Sequence, residues 1–322
     1  MKKFIFKTCI FLFASSLFIV LILLMPKKII ESGDNFKIKQ NSNQLVFGHS
    51  HPECAYNDSI IQNFENFAQS AESYFYTYSK LKKIVEVNNQ VRTVFLEFTN
   101  YEIDDDWDKL YTWGDNIISR NYPKYAPVIE TSDLLMIAKK NMKEVVSAQS
   151  TSFMNNANFI FRSKKNFPKT INWGGYYYLE RDKTDSLLTV LSSENLLKFQ
   201  QTDKLASTNL TYLLKIIEFC KKSKVQLYLI RSPLHPKYPG LHNESDFLNI
   251  IDTRLSNVEF LDFKNFPLKN SEFGDLNHLN HKGAKVYSEW FDTMINKKGL
   301  LEKQDKQLFI DSEIKARMIN VL

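Results

Sequence analysis

The longest unbroken apolar pattern in the chain is Thr8 to Met25, eighteen residues without a charge (TCIFLFASSLFIVLILLM). As a helix it would be about 27 Å long, enough to cross a hydrocarbon core. Lys2, Lys3 and Lys7 precede it, and Lys27 and Lys28 follow. The junction Met25-Pro26-Lys27-Lys28 has no small-x-small pattern, so residues 1–28 read as an uncleaved transmembrane anchor rather than a cleaved signal. Lysines on both flanks give a weak orientation signal. The N-terminus is placed inside because the remainder reads as one translocated domain. Residues 29–43 are polar and read as a linker.

After residue 43 the pattern alternates between short apolar runs and segments of helical period. Gln44–Phe47, Arg92–Phe98, Val225–Ile230 and Val258–Phe263 are predicted strands. Ser59–Phe67, Glu72–Val87, Leu134–Val146, Asn209–Lys222, Phe247–Leu255 and Lys282–Ile295 are predicted helices. This alternation implies an α/β domain over 44–300, with a mostly parallel sheet and helices on both faces. The stretch from Tyr101 to Lys224 is too long for one crossover, so an insertion is placed around 101–200. It includes an irregular aromatic stretch, Phe159 to Tyr178. Residues 301–322 read as a C-terminal helical tail. In such sheets the chemistry lies just beyond the carboxyl ends of the strands.

Composition narrows the classes. Hydrophobic residues make up 43% and charged residues 24%, with only 9 Gly and 9 Pro, which is globular rather than low-complexity. The net charge is +6, but the 42 Lys and Arg are dispersed, so no nucleic-acid partner is implied. Three cysteines, Cys9, Cys54 and Cys220, cannot form a disulfide framework, and no CxxC or His/Cys cluster suggests a structural zinc.

Two places carry candidate chemistry. Gly48-His49-Ser50-His51 follows the first strand, where a tight turn presents a hydroxyl beside a helix N-terminus. Asp275-Leu276-Asn277-His278-Leu279-Asn280, then Gly283-Ala284, precedes the last predicted helix. There His278 is placed to act as general base to Ser50 and Asp275 to orient it. Taken separately, a common turn and a capped loop account for these residues equally well. His49 and His51 flank Ser50, but a metal needs three or four convergent ligands and the sequence shows none, so no metal is assigned. Cys54 reads as a buried thiol.

Taken together, the Gly-x-Ser after the first strand and the Asp-x-x-His-Leu-Asn-x-x-Gly-Ala block resemble the SGNH/GDSL hydrolase superfamily, over most of residues 44–297. The resemblance implies a three-layer αβα, flavodoxin-like fold. It implies Ser50 as nucleophile, His278 as base and Asp275 as its orienter. The oxyanion hole would comprise the N–H of Ser50, a backbone N–H at Ala71 and the side chain of Asn100, which follows the FLEFTN strand. Two departures stand out. Gly-His-Ser replaces the usual Gly-Asp-Ser, whose Asp is structural, and Ser70-Ala71 replaces the glycine expected after the second strand.

Anchored relatives of this kind imply a serine esterase or O-acyltransferase of a bacterial cell envelope. Its domain would be extracytoplasmic, acting on acyl, chiefly acetyl, esters of polysaccharide through an acyl-serine. A multi-span membrane acyl donor is the implied partner, and no cofactor is needed. Aromatic rings at Trp107, Trp113, Trp173 and Tyr176–Tyr178 offer platforms for sugar, although aromatics at helical spacing also serve cores. Glu97 and Asp104–Asp106 read as a solvated loop or helix start before they read as a glycosidase pair. The alternative is a non-catalytic polysaccharide-binding or assembly protein of the same fold.

Overall fold

The computed structural model describes residues 1–32, 36–162, 172–191 and 205–321. In chain order its helices are α1 (Lys2–Ser32), α2 (Ser50–Ala55), α3 (Tyr74–Val87), α4 (Asp105–Asp108), α5 (Ile117–Tyr125), α6 (Thr131–Lys140), α7 (Met142–Arg162), α8 (Thr184–Leu191), α9 (Ser207–Lys222), α10 (Glu244–Arg254), α11 (His281–Asp292) and α12 (Lys306–Val321). The strands are β1 (Gln44–Phe47), β2 (Phe64–Asn66), β3 (Thr93–Glu97), β4 (Gln226–Arg231) and β5 (Glu259–Asp262). Two compact units result: Met1–Lys37 with Thr112–Asn172, and Ile38–Tyr111 with Trp173–Leu322.

The second unit is α/β. Its five strands run in the order β2-β1-β3-β4-β5 and every pairing is parallel, so the sheet is wholly rather than mostly parallel. Sheets covered on both faces need strands that are apolar on both faces. All five residues of β3 and five of six in β4 are buried. Register places Val46 beside Phe95 and Phe95 beside Tyr228. That row packs with Tyr56, Phe64, Tyr287 and Phe291 into one core. Residues of the other parity, such as Leu45, Phe47, Leu96 and Leu229, are fully buried on the opposite face, where α3 and α9 pack together.

Several sequence expectations change here. Ser59–Phe67 is not a helix. The helix comes earlier, at α2, and a turn leads into β2. Asn57 Oδ1 accepts from Ser59, Asn63 takes a left-handed φ of 56°, and Asp58 Oδ2 accepts from the Asn66 N–H at 3.1 Å. These local side-chain bonds outcompete helix. Residues 301–322 do not form a detached tail, because Ile310 and Ile314 of α12 enter the main core. Of the linker, α1 continues through Ser32, positions 33–35 lie outside the described residues, and Ile38 and Lys39 are held by Asn88 and Glu65.

The first unit is helical. Of the insertion, 112–172 belongs to this unit, whereas 101–111 and 173–191 belong to the α/β unit. Positions 163–171 and 192–204, which the aromatic stretch and the insertion include, lie outside the described residues. Leu134–Val146 is two helices. Asn141 leaves helical geometry after α6, its Oδ1 accepts from the Glu144 N–H and its Nδ2 donates to Trp113 O. The window Lys2–Ile22 has a mean hydropathy of 2.4, long and apolar enough to cross a membrane. Phe18 of α1 meets Phe161 of α7 with ring centroids 6.3 Å apart.

Candidate active site

In the order β2-β1-β3-β4-β5, the chain leaves β1 toward one side and β3 toward the other, so a crevice opens at their carboxyl ends. Ser50 is the third residue after β1. Gly48 makes the bend with φ at 140°, and a Cβ there would lie 2.5 Å from Cβ of Glu97. Only glycine fits both the angle and the space. His49 caps α2, its Nδ1 accepting from the His51 N–H at 3.4 Å. An aspartate carboxylate in that place would do the same work, so Gly-His-Ser keeps the turn.

The loop before α11 supplies the rest. His278 Nε2 lies 2.7 Å from Ser50 Oγ. His278 Nδ1 lies 2.9 and 3.1 Å from the two oxygens of Asp275, and the N–H groups of Asn277 and His278 donate to Asp275 Oδ1 at 3.0 and 2.8 Å. Burial works against ionised Asp275, but the hydrogen bond and charge of His278 outweigh it and hold the carboxyl down at about 2. The three predicted residues thus form a continuous hydrogen-bonded chain. Asp275 and His278 are each about 15% exposed in their side chains, which leaves the site open to a reactant.

Ser50, Asp275 and His278 line a cavity of about 1130 Å³ whose other walls include Tyr101, Trp107, Tyr111, Tyr177, Leu187 and Tyr238. Of the aromatics singled out in the sequence, Trp107 and Tyr177 reach it, whereas Trp173 is buried and Trp113 belongs to the helical unit. Asp104 and Asp106 line its rim beside α4. Cys54 also borders it, but burial pushes its thiol up to about 12, so it is no nucleophile.

The expected oxyanion donors divide. Ser50 and Ala71 both line the cavity, and neither backbone N–H has a hydrogen-bond partner among the described residues. Ala71 takes φ of 60°, the left-handed conformation that the missing glycine would adopt at lower cost. Asn100 does not join them. It is 1% exposed and outside the cavity lining. Its Nδ2 donates to Asn243 and Glu244 at 3.0 and 2.8 Å, and its Oδ1 accepts from Arg231 at 2.9 Å. A buried arginine, fully enclosed and needing acceptors, has captured the amide. The next residue, Tyr101, faces the cavity instead.

Three features were not legible in the sequence. Arg181 donates to Asp275 Oδ2 from 94 residues away. Asn277 Nδ2 lies 3.3 Å from His51 Nε2, a second link parallel to the Ser50–His278 bond. His49, His51 and Glu97 converge, all buried, with one potential ligand atom from each within 4.8 Å of the others. No spacing rule joins Glu97 to the His-Ser-His turn, because the β1–β3 pairing brings them together.

No curated protein matches the chain. A family model matches a stretch that contains Asp275 and His278 but not Ser50. Residues 136–300, just over half of the 322, match the model of an uncharacterised family, and the chain belongs to that family.

Proposed function

We propose that this chain is a membrane-anchored serine esterase or O-acyltransferase of the SGNH/GDSL type. It acts on acyl, chiefly acetyl, esters of an envelope or extracellular polysaccharide. The observation that carries the reading is the chain of hydrogen bonds Ser50–His278–Asp275 opening on a cavity. In the proposed reaction Ser50 Oγ attacks the acyl carbonyl as its proton passes to His278 Nε2. Asp275 stabilises the imidazolium through Nδ1, and the oxyanion faces the Ser50 and Ala71 N–H groups. His278 then returns the proton to the leaving alcohol. Water or a sugar hydroxyl resolves the acyl-serine, which is the difference between hydrolysis and transfer. The aromatic walls and the carboxylates of Asp104 and Asp106 suit a glycan. An extracytoplasmic domain and a multi-span membrane acyl donor as partner complete the proposal.

A second reading is favoured by one observation. The engagement of Asn100 with Arg231 leaves two backbone donors where the superfamily pattern calls for a third from a side chain. A degenerate site of this kind would bind polysaccharide without turnover. The deciding experiment treats the full chain, purified in detergent, with a serine-directed fluorophosphonate and with a chromogenic acetyl ester, with and without a glycan acceptor. Labelling that maps to Ser50, and turnover lost by roughly 10³-fold or more in Ser50→Ala and His278→Ala, supports the enzyme. Acetyl on the glycan supports transfer. Folded protein that is neither labelled nor active supports the binder.

A further inference from the structure

Lys80 is a fully buried cation that stands outside the Ser50–His278–Asp275 chain. It lies on α3, the helix that begins just after the loop carrying Ala71. Side chains on a helix lean toward its N-terminus, so Lys80 reaches back over that loop. Its ammonium has three N–H groups and meets three acceptors: Phe67 O at 2.6 Å, the Glu72 carboxylate at 2.8 Å and Trp173 O at 2.9 Å. Glu72 is itself buried and also accepts from Thr77 Oγ1 at 2.7 Å. The loop between Asn66 and Glu72 is tied at other points too. The Ala68 N–H donates to Asn66 Oδ1 at 2.8 Å, the Gln69 N–H to Gly48 O at 2.9 Å and the Ser70 N–H to Glu53 Oε2 at 2.9 Å. Ala68 O accepts from the Gly175 N–H at 3.1 Å. Ala71 is the contrast, with φ at 60° and an N–H that has no partner among the described residues.

We propose that Lys80 is a positioning residue that holds Ala71 in its left-handed conformation and so keeps the Ala71 N–H available to the oxyanion. The inference rests on the esterase reading, since only a reacting Ser50 gives that N–H work to do. Left-handed backbone is uphill for alanine, and relaxing to negative φ turns the Ser70–Ala71 peptide plane that carries the N–H. The plane is pinned from both sides. Ser70 is bonded to Glu53 before it, and Glu72 is bonded to Lys80 after it. Without the ammonium, Glu72 and the Phe67 carbonyl both lose their tie, and the strained residue between them can relax. An oxyanion donor contributes most when it is already oriented before charge develops, so a loop free to turn forfeits much of its value. The third bond of Lys80, to Trp173 O, extends the same clamp. Trp173 opens the segment that runs to Arg181, which donates to Asp275. One buried cation therefore ties the loop of the oxyanion donor to the segment that braces the acid–base loop.

The test uses the full chain in detergent and a chromogenic acetyl ester, with rates counted per folded molecule. Lys80→Met alone strands Glu72 as an uncompensated buried carboxylate, so the double variant Lys80→Met/Glu72→Gln is the one to assay. It should melt above Lys80→Met. Its kcat should fall about 100-fold below wild type with KM within about twofold, the mark of a donor engaged only in the transition state. Adding Ala71→Gly to the double variant should recover about tenfold of that loss, because glycine takes the left-handed angle without steric cost. A role in stability alone gives no such recovery. Wild-type kcat in the double variant overturns the inference, and so does a triple variant no faster than the double. A double variant that does not fold also overturns it, by making the pair a requirement of the fold itself. Wild-type protein that neither turns over the ester nor takes a fluorophosphonate on Ser50 overturns the esterase reading and this inference with it, so the two failures are told apart.

Discussion

His278 Nε2 lies 2.7 Å from Ser50 Oγ although 228 residues separate the two in sequence. The sheet makes the meeting possible. Ser50 stands at the end of β1, next to the point where strand order reverses, and α11 begins three residues after His278 on the same side of the sheet as α2. The Asp275 carboxylate fixes the loop by accepting from two backbone N–H groups as well as meeting the imidazole.

Asp275→Asn tests that dependence. The amide preserves shape but favours the wrong imidazole tautomer, so ester turnover by the full chain should fall by about 10³- to 10⁴-fold with little change in KM. The same variant has a pH signature in stability. The folded carboxyl is held at about 2, below its unfolded value near 3.8. Its contribution is therefore present above pH 4 and is lost as pH falls toward 2, and it amounts to about 2 kcal/mol. Denaturant melts of wild type and Asp275→Asn should differ most above pH 4 and converge near pH 2. Melts that remain equally separated across this range would sink the assignment.

Glu97 carries the opposite sign. Burial pushes its carboxyl up to about 7. The folded state then holds a proton that the unfolded state has released, so stability falls as pH rises from about 4.5 to 7 and levels above that. Glu97→Gln removes this slope. The wild type should lose on the order of 3 kcal/mol relative to Glu97→Gln across the window, read from denaturant midpoints at stepped pH. Parallel pH profiles for the two proteins would show that Glu97 is ionised throughout.

How much of this was readable in the residues depends on range. Val225–Ile230 and Arg92–Phe98 were legible as strands because both faces of a central parallel strand are apolar. The Asp-x-x-His block was legible because its geometry is local. β2 was not, being a three-residue edge strand entered through a left-handed asparagine. Nor was the fate of Asn100, which Arg231 decides from 131 residues away. The convergence of Glu97 with His49 and His51 likewise depends on strand pairing, which periodicity does not encode.

Gly48 couples the turn to the strand beside it. At φ of 140°, with a would-be Cβ 2.5 Å from Cβ of Glu97, any side chain forces β1 and β3 apart where Ser50 is aimed. Gly48→Ala should cost on the order of 3 kcal/mol, and fluorophosphonate labelling of the fraction that still folds should slow by at least about 10-fold. Normal labelling at normal stability would mean that the turn is more tolerant than its angle implies.

Asn100→Ala separates the sequence reading of that residue from its structural one. An oxyanion donor, when removed, lowers kcat by about 10²- to 10³-fold and leaves stability nearly unchanged. The structure places Asn100 elsewhere, accepting from Arg231 and donating to Asn243 and Glu244, all within a buried network that also ties Arg231 to Asp262. Truncation there leaves a buried guanidinium short of an acceptor, which costs about 2–3 kcal/mol. The expected result is a lower melting temperature with a labelling rate, per folded molecule, within about threefold of wild type. A stable variant with labelling slowed 100-fold would return Asn100 to the oxyanion hole, and would require its amide to break from Arg231 when substrate binds.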